Sequence, residues 1–123
     1  MAKRTKPKEA PRQSEKCLQY LCQQWLEKSG LWGRILIFHV PNERRGGIGA
    51  VMHFKRMGVR PGVADYLVFT SRDAAIELKE ADGKQRKDQE RFQRQWEATG
   101  KSYFVVRTLD EFQGVMAALT LFC

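Results

Sequence analysis

Two carboxylates and a lysine stand close together on what reads as a β-hairpin. Residues 65–70 and 74–79 are rich in apolar and β-branched side chains, and Ser71-Arg72-Asp73 between them has the length of a hairpin loop. Pairing Thr70 with Ala74 sets Asp65 opposite Lys79 and Leu67 opposite Glu77. Opposed residues share a face and strand side chains alternate with period two, so Asp65, Glu77 and Lys79 project from one face at one end of the hairpin. A bulge in the loop would slip the pairing by one residue and undo this arrangement. Ionic groups on inner strands are costly to bury without a use. Paired carboxylates offer the hard oxygens that Mg²⁺ prefers, and a cation held there would neutralise a phosphate and activate water. Lys79 would orient or deprotonate that water and offset developing charge. A salt-bridged Asp65–Lys79 pair at a frayed hairpin end has the same sequence pattern, so these three residues alone leave both readings open.

The elements that must position them add two further polar residues. Leu18, Leu21, Cys22, Trp25 and Leu26 recur at helical spacing and predict a helix over 14–29, with Ser14 as N-cap and Gly30 as its stop. Glu15 falls on that stripe, three residues before Leu18, where an acid is unusual. A first-turn acid favouring the helix dipole is the plainer explanation. Residues 86–99 read as a second helix, with Gln85, Gln89, Phe92 and Trp96 at i, i+4, i+7 and i+11, which places Gln89 among inward residues. Both Glu15 and Gln89 are odd in a core and suit the walls of a cation site. Residues 34–40 and 103–107 are further strands, 50–57 has the length of a short helix, and Thr108 with Glu111 is a capping box opening a last helix. The order is α-β-β-β-α-β-α, an α/β fold with a mixed sheet flanked by helices. Trp25, Trp96, Cys17 and Cys22 are expected to be buried.

Composition narrows the partner. The chain has 123 residues, the size of one domain, read as a flexible basic arm over 1–12 and a folded domain over 13–123. Its 22 Lys and Arg against 14 Asp and Glu leave a net charge of +8, which favours a polyanion, above all nucleic acid. Arg44, Arg45, Lys55, Arg56 and Arg60 lie in a stretch without an acid and are the candidate phosphate contacts. Apolar runs such as 35–38 are far short of the roughly 20 residues a membrane span needs. The basic N-terminus has no apolar stretch behind it, so no secretory leader is expected. Three cysteines without CxxC spacing fit a reducing, intracellular setting better than a disulfide framework or a zinc knuckle. His39 and His53 lack metal spacing, and Gly46-Gly47-Ile48-Gly49 is followed by no GK[ST], so it is not a P-loop.

The ordered set of these stretches resembles a known family. Glu15, His39-Val-Pro-Asn42, Lys55-Arg-Met-Gly-Val-Arg-Pro-Gly-Val-Ala-Asp65, Ile76-Glu-Leu-Lys79, Gly83 with Gln89 and Phe92, and Tyr103-Phe-Val-Val-Arg107 resemble the PD-(D/E)XK nucleases, and within them the virus-type replication-repair nuclease (VRR-NUC) domain. The match spans nearly the whole chain beyond the arm, with Ala64 where the family usually has proline. The resemblance implies a restriction-endonuclease-like core and a Mg²⁺- or Mn²⁺-dependent DNA endonuclease. It implies that Asp65, Glu77 and the Leu78 carbonyl bind the metal and that Lys79 is the catalytic lysine. Glu15 would complete the acidic site directly or through water, and Gln89 would support the lysine or the attacking water. Stand-alone phage and bacterial members resemble resolvases that cut four-way (Holliday) junctions as homodimers, which implies branched DNA as partner and recognition by shape. Apolar residues over 46–52 and 116–123 offer a surface for such a dimer. A monomeric flap- or nick-directed repair nuclease and a non-catalytic DNA-binding module of the same fold are the alternatives.

Overall fold

The apolar stripe Leu18, Cys22 and Leu26 becomes the buried face of α1 (Glu15–Lys28), and the Ser14 side chain accepts from Cys17 N at 3.1 Å to cap it. The computed structural model describes residues 14–41 and 47–121; the expected basic arm, with Asn42, Arg44 and Arg45, lies outside the described residues. After α1 the chain turns at Gly30 (φ +82°) into a single 3₁₀ turn, Leu31–Gly33, which delays β1 to Leu36–His39. Then come α2 (Ile48–Arg56), β2 (Tyr66–Phe69), β3 (Ala74–Leu78), α3 (Lys87–Ala98), β4 (Ser102–Val106) and α4 (Leu109–Leu119). Thr108 caps α4 by accepting from Glu111 N at 3.1 Å. The expected order holds, with α2 inserted between the first two strands.

The sheet runs β1-β2-β3-β4, with β1–β2 and β2–β3 antiparallel and β3–β4 parallel across the α3 crossover. The hairpin register differs from the expected one. Val68, not Thr70, faces Ala74, and Tyr66 faces Ile76. The Thr70 hydroxyl accepts from Arg72 N at 3.0 Å and lies 3.2 Å from Leu119 O, so Thr70 belongs to the loop and the pairing slips by two residues. An even slip leaves every side chain on its expected face. Continued by one residue, the observed pairing sets Asp65 against Glu77 rather than Lys79.

One sheet face carries Ile37, Tyr66, Val68, Ile76, Leu78 and Val106 into the core against α1 and the Phe112, Met116 and Leu119 stripe of α4. The other carries Glu77 and Tyr103 beneath α3, whose Phe92 and Trp96 meet Tyr103 and Phe69 at ring distances of 6.3 and 6.5 Å. Every residue of β3 is buried, as befits an inner strand covered on both sides. Cys22 is buried as expected, whereas Cys17 is exposed because it lies off the α1 stripe. Trp25 and Trp96 are only half-buried, at the edges of their layers. No residue of α2 is buried, and Ile48 (84% exposed) and Met57 (69%) stand in solvent.

Candidate active site

Asp65, Glu77 and Lys79 converge where β3 ends and β2 begins. The Asp65 carbonyl accepts from Val40 N and from His39 Nδ1, both at 2.8 Å. A carbonyl can only accept, so His39 carries its proton on Nδ1. The Asp65 carboxylate is pinned from the other side, with Oδ2 accepting from Leu78 N at 2.7 Å. Thus β1 and β3 both hold the residue that opens β2.

Glu77 is buried, and its Oε2 accepts from the Tyr103 hydroxyl and from Gln85 Nε2 at 3.1 Å; the same Gln85 nitrogen reaches Gln93 Oε1 at 2.9 Å. These donors are neutral, so Glu77 carries hydrogen bonds without a compensating cation. Burial, together with the hydrogen bond and charge of Glu77, pushes the Tyr103 phenol upward, so it remains a donor. Burial pushes the Asp65 carboxyl up to about 6; the Leu78 N–H pulls it down, the Glu77 carboxylate pushes it further up, and His39 and Glu15 act weakly in opposite directions.

Lys79 is buried and its Nζ lies 3.7 Å from Glu15 Oε1. Glu15 itself is half-exposed, not buried as its place on the stripe suggests, because the first turn of α1 reaches past the core to the rim of a cleft. Gln89 is buried, and its Oε1 accepts from Arg86 N at 2.8 Å, so its carbonyl serves the start of α3. Gly62 (φ +80°) presses on that same turn: a Cβ there would lie 2.7 Å from Gln89 N and closer still to the Asp88 carbonyl.

The cleft, about 690 Å³, is lined by Glu15, Asp65, Leu78, Arg86 and Gln89 among others, while Glu77 and Lys79 are buried and do not line it. Among the described residues no three His, Cys, Asp or Glu side chains gather as a metal cluster. The β2–β3 pairing brings Asp65 and Glu77 together, and Glu15, paired with Lys79, adds its negative charge at Asp65. The donor set is therefore two carboxylates beside the Leu78 backbone. These are hard oxygens of the kind Mg²⁺ and Mn²⁺ take, and a dication would offset both the burial that chiefly lifts Asp65 and the lesser repulsion from Glu77, so the residues fit such an ion.

Lys55 and Arg56 lie exposed in the last turn of α2, and Arg60 is exposed with its guanidinium on Gln95 Oε1 at 2.9 Å. Sequence reasoning quoted Tyr103 and Arg107 only as the ends of a matching stretch and gave them no role; Tyr103 reaches Glu77, and Arg107 Nη1 donates to Glu80 O at 2.6 Å and Gly83 O at 2.8 Å and so clamps the turn behind Lys79. Sequence reasoning also passed over Lys16 in the cleft. Gln85 stood on the α3 stripe and could have been found there.

No family model matches the sequence, and no curated protein matches it. Among solved structures, a "VRR_NUC domain protein" superimposes with a TM-score of 0.71 over 86% of this chain and 87% of that one, at 23% sequence identity. The fold is that of a VRR-NUC domain. Within this VRR-NUC fold Ala64, a departure from the resembled pattern, is fully buried directly ahead of Asp65. No described helix is long and apolar enough to cross a membrane.

Proposed function

We propose that this chain is an intracellular, divalent-metal-dependent DNA endonuclease that hydrolyses phosphodiesters in branched DNA, above all four-way junctions, as a homodimer. The observation that carries the reading is the pairing of Asp65 with Glu77, one strand repeat before the buried Lys79, on a VRR-NUC fold. Asp65, Glu77 and the Leu78 carbonyl would hold Mg²⁺ or Mn²⁺. When bound, the ion supplies charge neutralisation at the scissile phosphate and a Lewis-acid pull on the attacking water.

The chain's own groups do the rest. Tyr103 and Gln85 hold Glu77 in one orientation. Lys79, steadied by Glu15, orients or deprotonates the water and offsets charge on the phosphate. Gln89 keeps the first turn of α3 against the cleft. Lys16 and Arg86 in the cleft and the exposed Lys55, Arg56 and Arg60 would meet flanking phosphates, joined by Arg44 and Arg45, which lie outside the described residues. One chain carries one such site. Two symmetric cuts need two, which a C₂ pair supplies, and the exposed apolar residues of α2 favour a pair over a single chain.

The test is incubation of labelled duplex, flap and four-way junction DNA with the protein, with and without Mg²⁺. Junction cleavage is expected only with the ion, and Asp65→Asn and Glu77→Gln are expected to bind DNA without cutting it. Binding without cleavage by the wild type in Mg²⁺ and Mn²⁺ would make it a non-catalytic DNA-binding module, and preferential cutting of flaps would make it a flap nuclease.

A further inference from the structure

Part of the cleft wall is aromatic. Tyr20 (59% exposed), Trp32 (39%) and Phe38 (40%) line the same cavity as Asp65. Keeping three large rings in water forgoes the burial that normally stabilises them. Among the described residues Tyr20 and Trp32 pair with no other ring, and neither the Tyr20 hydroxyl nor Trp32 Nε1 is hydrogen-bonded. Phe38 is stacked on Phe69 at 6.0 Å and 21°, so its ring is backed and its orientation set.

Two amides stand beside these rings. Gln19 and Gln23, one helical turn apart on α1, both line the cleft and both bind one buried phenol. Gln19 Nε2 donates to the Tyr66 hydroxyl at 2.6 Å, and that hydroxyl donates to Gln23 Oε1 at 2.8 Å. With the phenol accepting from Gln19 and donating to Gln23, the Gln19 carbonyl and the Gln23 NH₂ are left over, both held by a residue with no exposed surface.

Resting on the DNA-nuclease reading, we infer that this cleft receives an unstacked nucleobase next to the scissile phosphate. Tyr20, Trp32 and Phe38 supply the stacking faces, and the Gln19–Gln23 pair supplies an acceptor and a donor for its polar edge. A base inside a duplex has both faces covered by its neighbours; only an unpaired or extruded base offers a face and a Watson–Crick edge together. The cleft, about 690 Å³, lies in the range of roughly 300–1,000 Å³ typical of small-ligand sites. Lys16 and Arg86 are placed in it to meet the adjoining phosphates. The substrate so selected is DNA with an unpaired or openable base at the cut, such as a branch point, and fully paired duplex is discriminated against.

The experiment uses the whole chain in EDTA, so that binding is read without cleavage. 2-Aminopurine is placed at the branch point of a junction, or at a paired position remote from it, and an end label reports binding by anisotropy. Quenching is expected at the branch point and not at the remote position. The double variant Tyr20→Ala with Trp32→Ala, both exposed sites, is expected to lose roughly tenfold or more in affinity for branched DNA while duplex affinity stays within about twofold. Gln19→Leu is expected to change the base preferred at the branch. DNA bound with no quenching, together with undiminished branch preference in the double variant, would overturn the base site and leave the nuclease reading standing. Absence of DNA binding altogether would overturn both.

Discussion

Asp65 is held as a carboxylate by one backbone N–H and opposed by burial and by Glu77. With its pKa raised to about 6 from 3.8, the folded protein binds this proton more tightly than the unfolded chain does. Stability of the metal-free protein from this group is therefore greatest below pH 4, falls as pH rises to 6, and is lower by up to about 3 kcal/mol above that. Asp65→Asn keeps an acceptor for Leu78 N and removes the charge. It should raise the melting temperature of the metal-free protein at pH 8 by several degrees and change it little at pH 4. Equal melting temperatures at pH 8 would show that the carboxylates do not strain the site. Lys79 is buried against Glu15. Lys79→Ala should lower the cleavage rate by ~10²-fold or more. Lys79→Arg should restore little, because a planar guanidinium fits a buried ammonium slot poorly and is effectively never deprotonated. Full activity of the arginine variant in a single-turnover assay would mean that positive charge alone suffices.

At the scale of elements, the start of α3 is set by what presses on it. Gly62 lies so close to the Asp88–Gln89 peptide that no side chain fits, and its φ of +80° is one that other residues rarely adopt. Gly58 has a similar φ of +87° but nothing within 4 Å of where a Cβ would stand. The two glycines therefore separate backbone strain from packing. Gly58→Ala should cost about 1 kcal/mol in urea unfolding. Gly62→Ala should cost at least about 2 kcal/mol, since overpacking adds to strain. It should also impair cleavage, because the turn it displaces carries Arg86 and Gln89 into the cleft. Equal penalties at both positions would show that the peptide at Asp88 yields freely. The Arg107 clamp on the 80–83 turn does for the end of β3 what Gly62 does for α3.

For the whole molecule, the balance of charge and exposed apolar surface matters more than any one contact. A net charge of +8 disfavours self-association, yet α2 presents Ile48, Val51, Met52 and Phe54 to solvent. Sedimentation equilibrium at micromolar concentration should give about twice the 14.3 kDa chain mass. Ile48→Lys with Met57→Lys should return it to a single chain that nicks one strand of a junction instead of making paired cuts. A wild-type mass near 14.3 kDa across the concentration range, with one strand cut per encounter, would replace the resolvase dimer by a monomeric nuclease of the same chemistry.

The helices and strands were legible from local pattern alone. Apolar stripes mark α1 and α4, and Ser14 and Thr108 cap them as read, because a cap involves residues only three apart. The shared face of Asp65, Glu77 and Lys79 was legible too, since period-two alternation survives a slip of two residues. The register itself was not, because the Thr70 hydroxyl is committed partly to Leu119 O, 49 positions away. Glu15 shows the same limit: a stripe tells which side of a helix faces the core, but not how far its first turn overshoots the sheet. Tyr103 on Glu77 and Arg107 on the 80–83 turn follow from the parallel β3–β4 register, which the α3 crossover sets and no local spacing encodes. A short α2 could be read from sequence, but whether its apolar residues meet the sheet or solvent is decided only when the chain closes, by which surfaces the other helices have already covered.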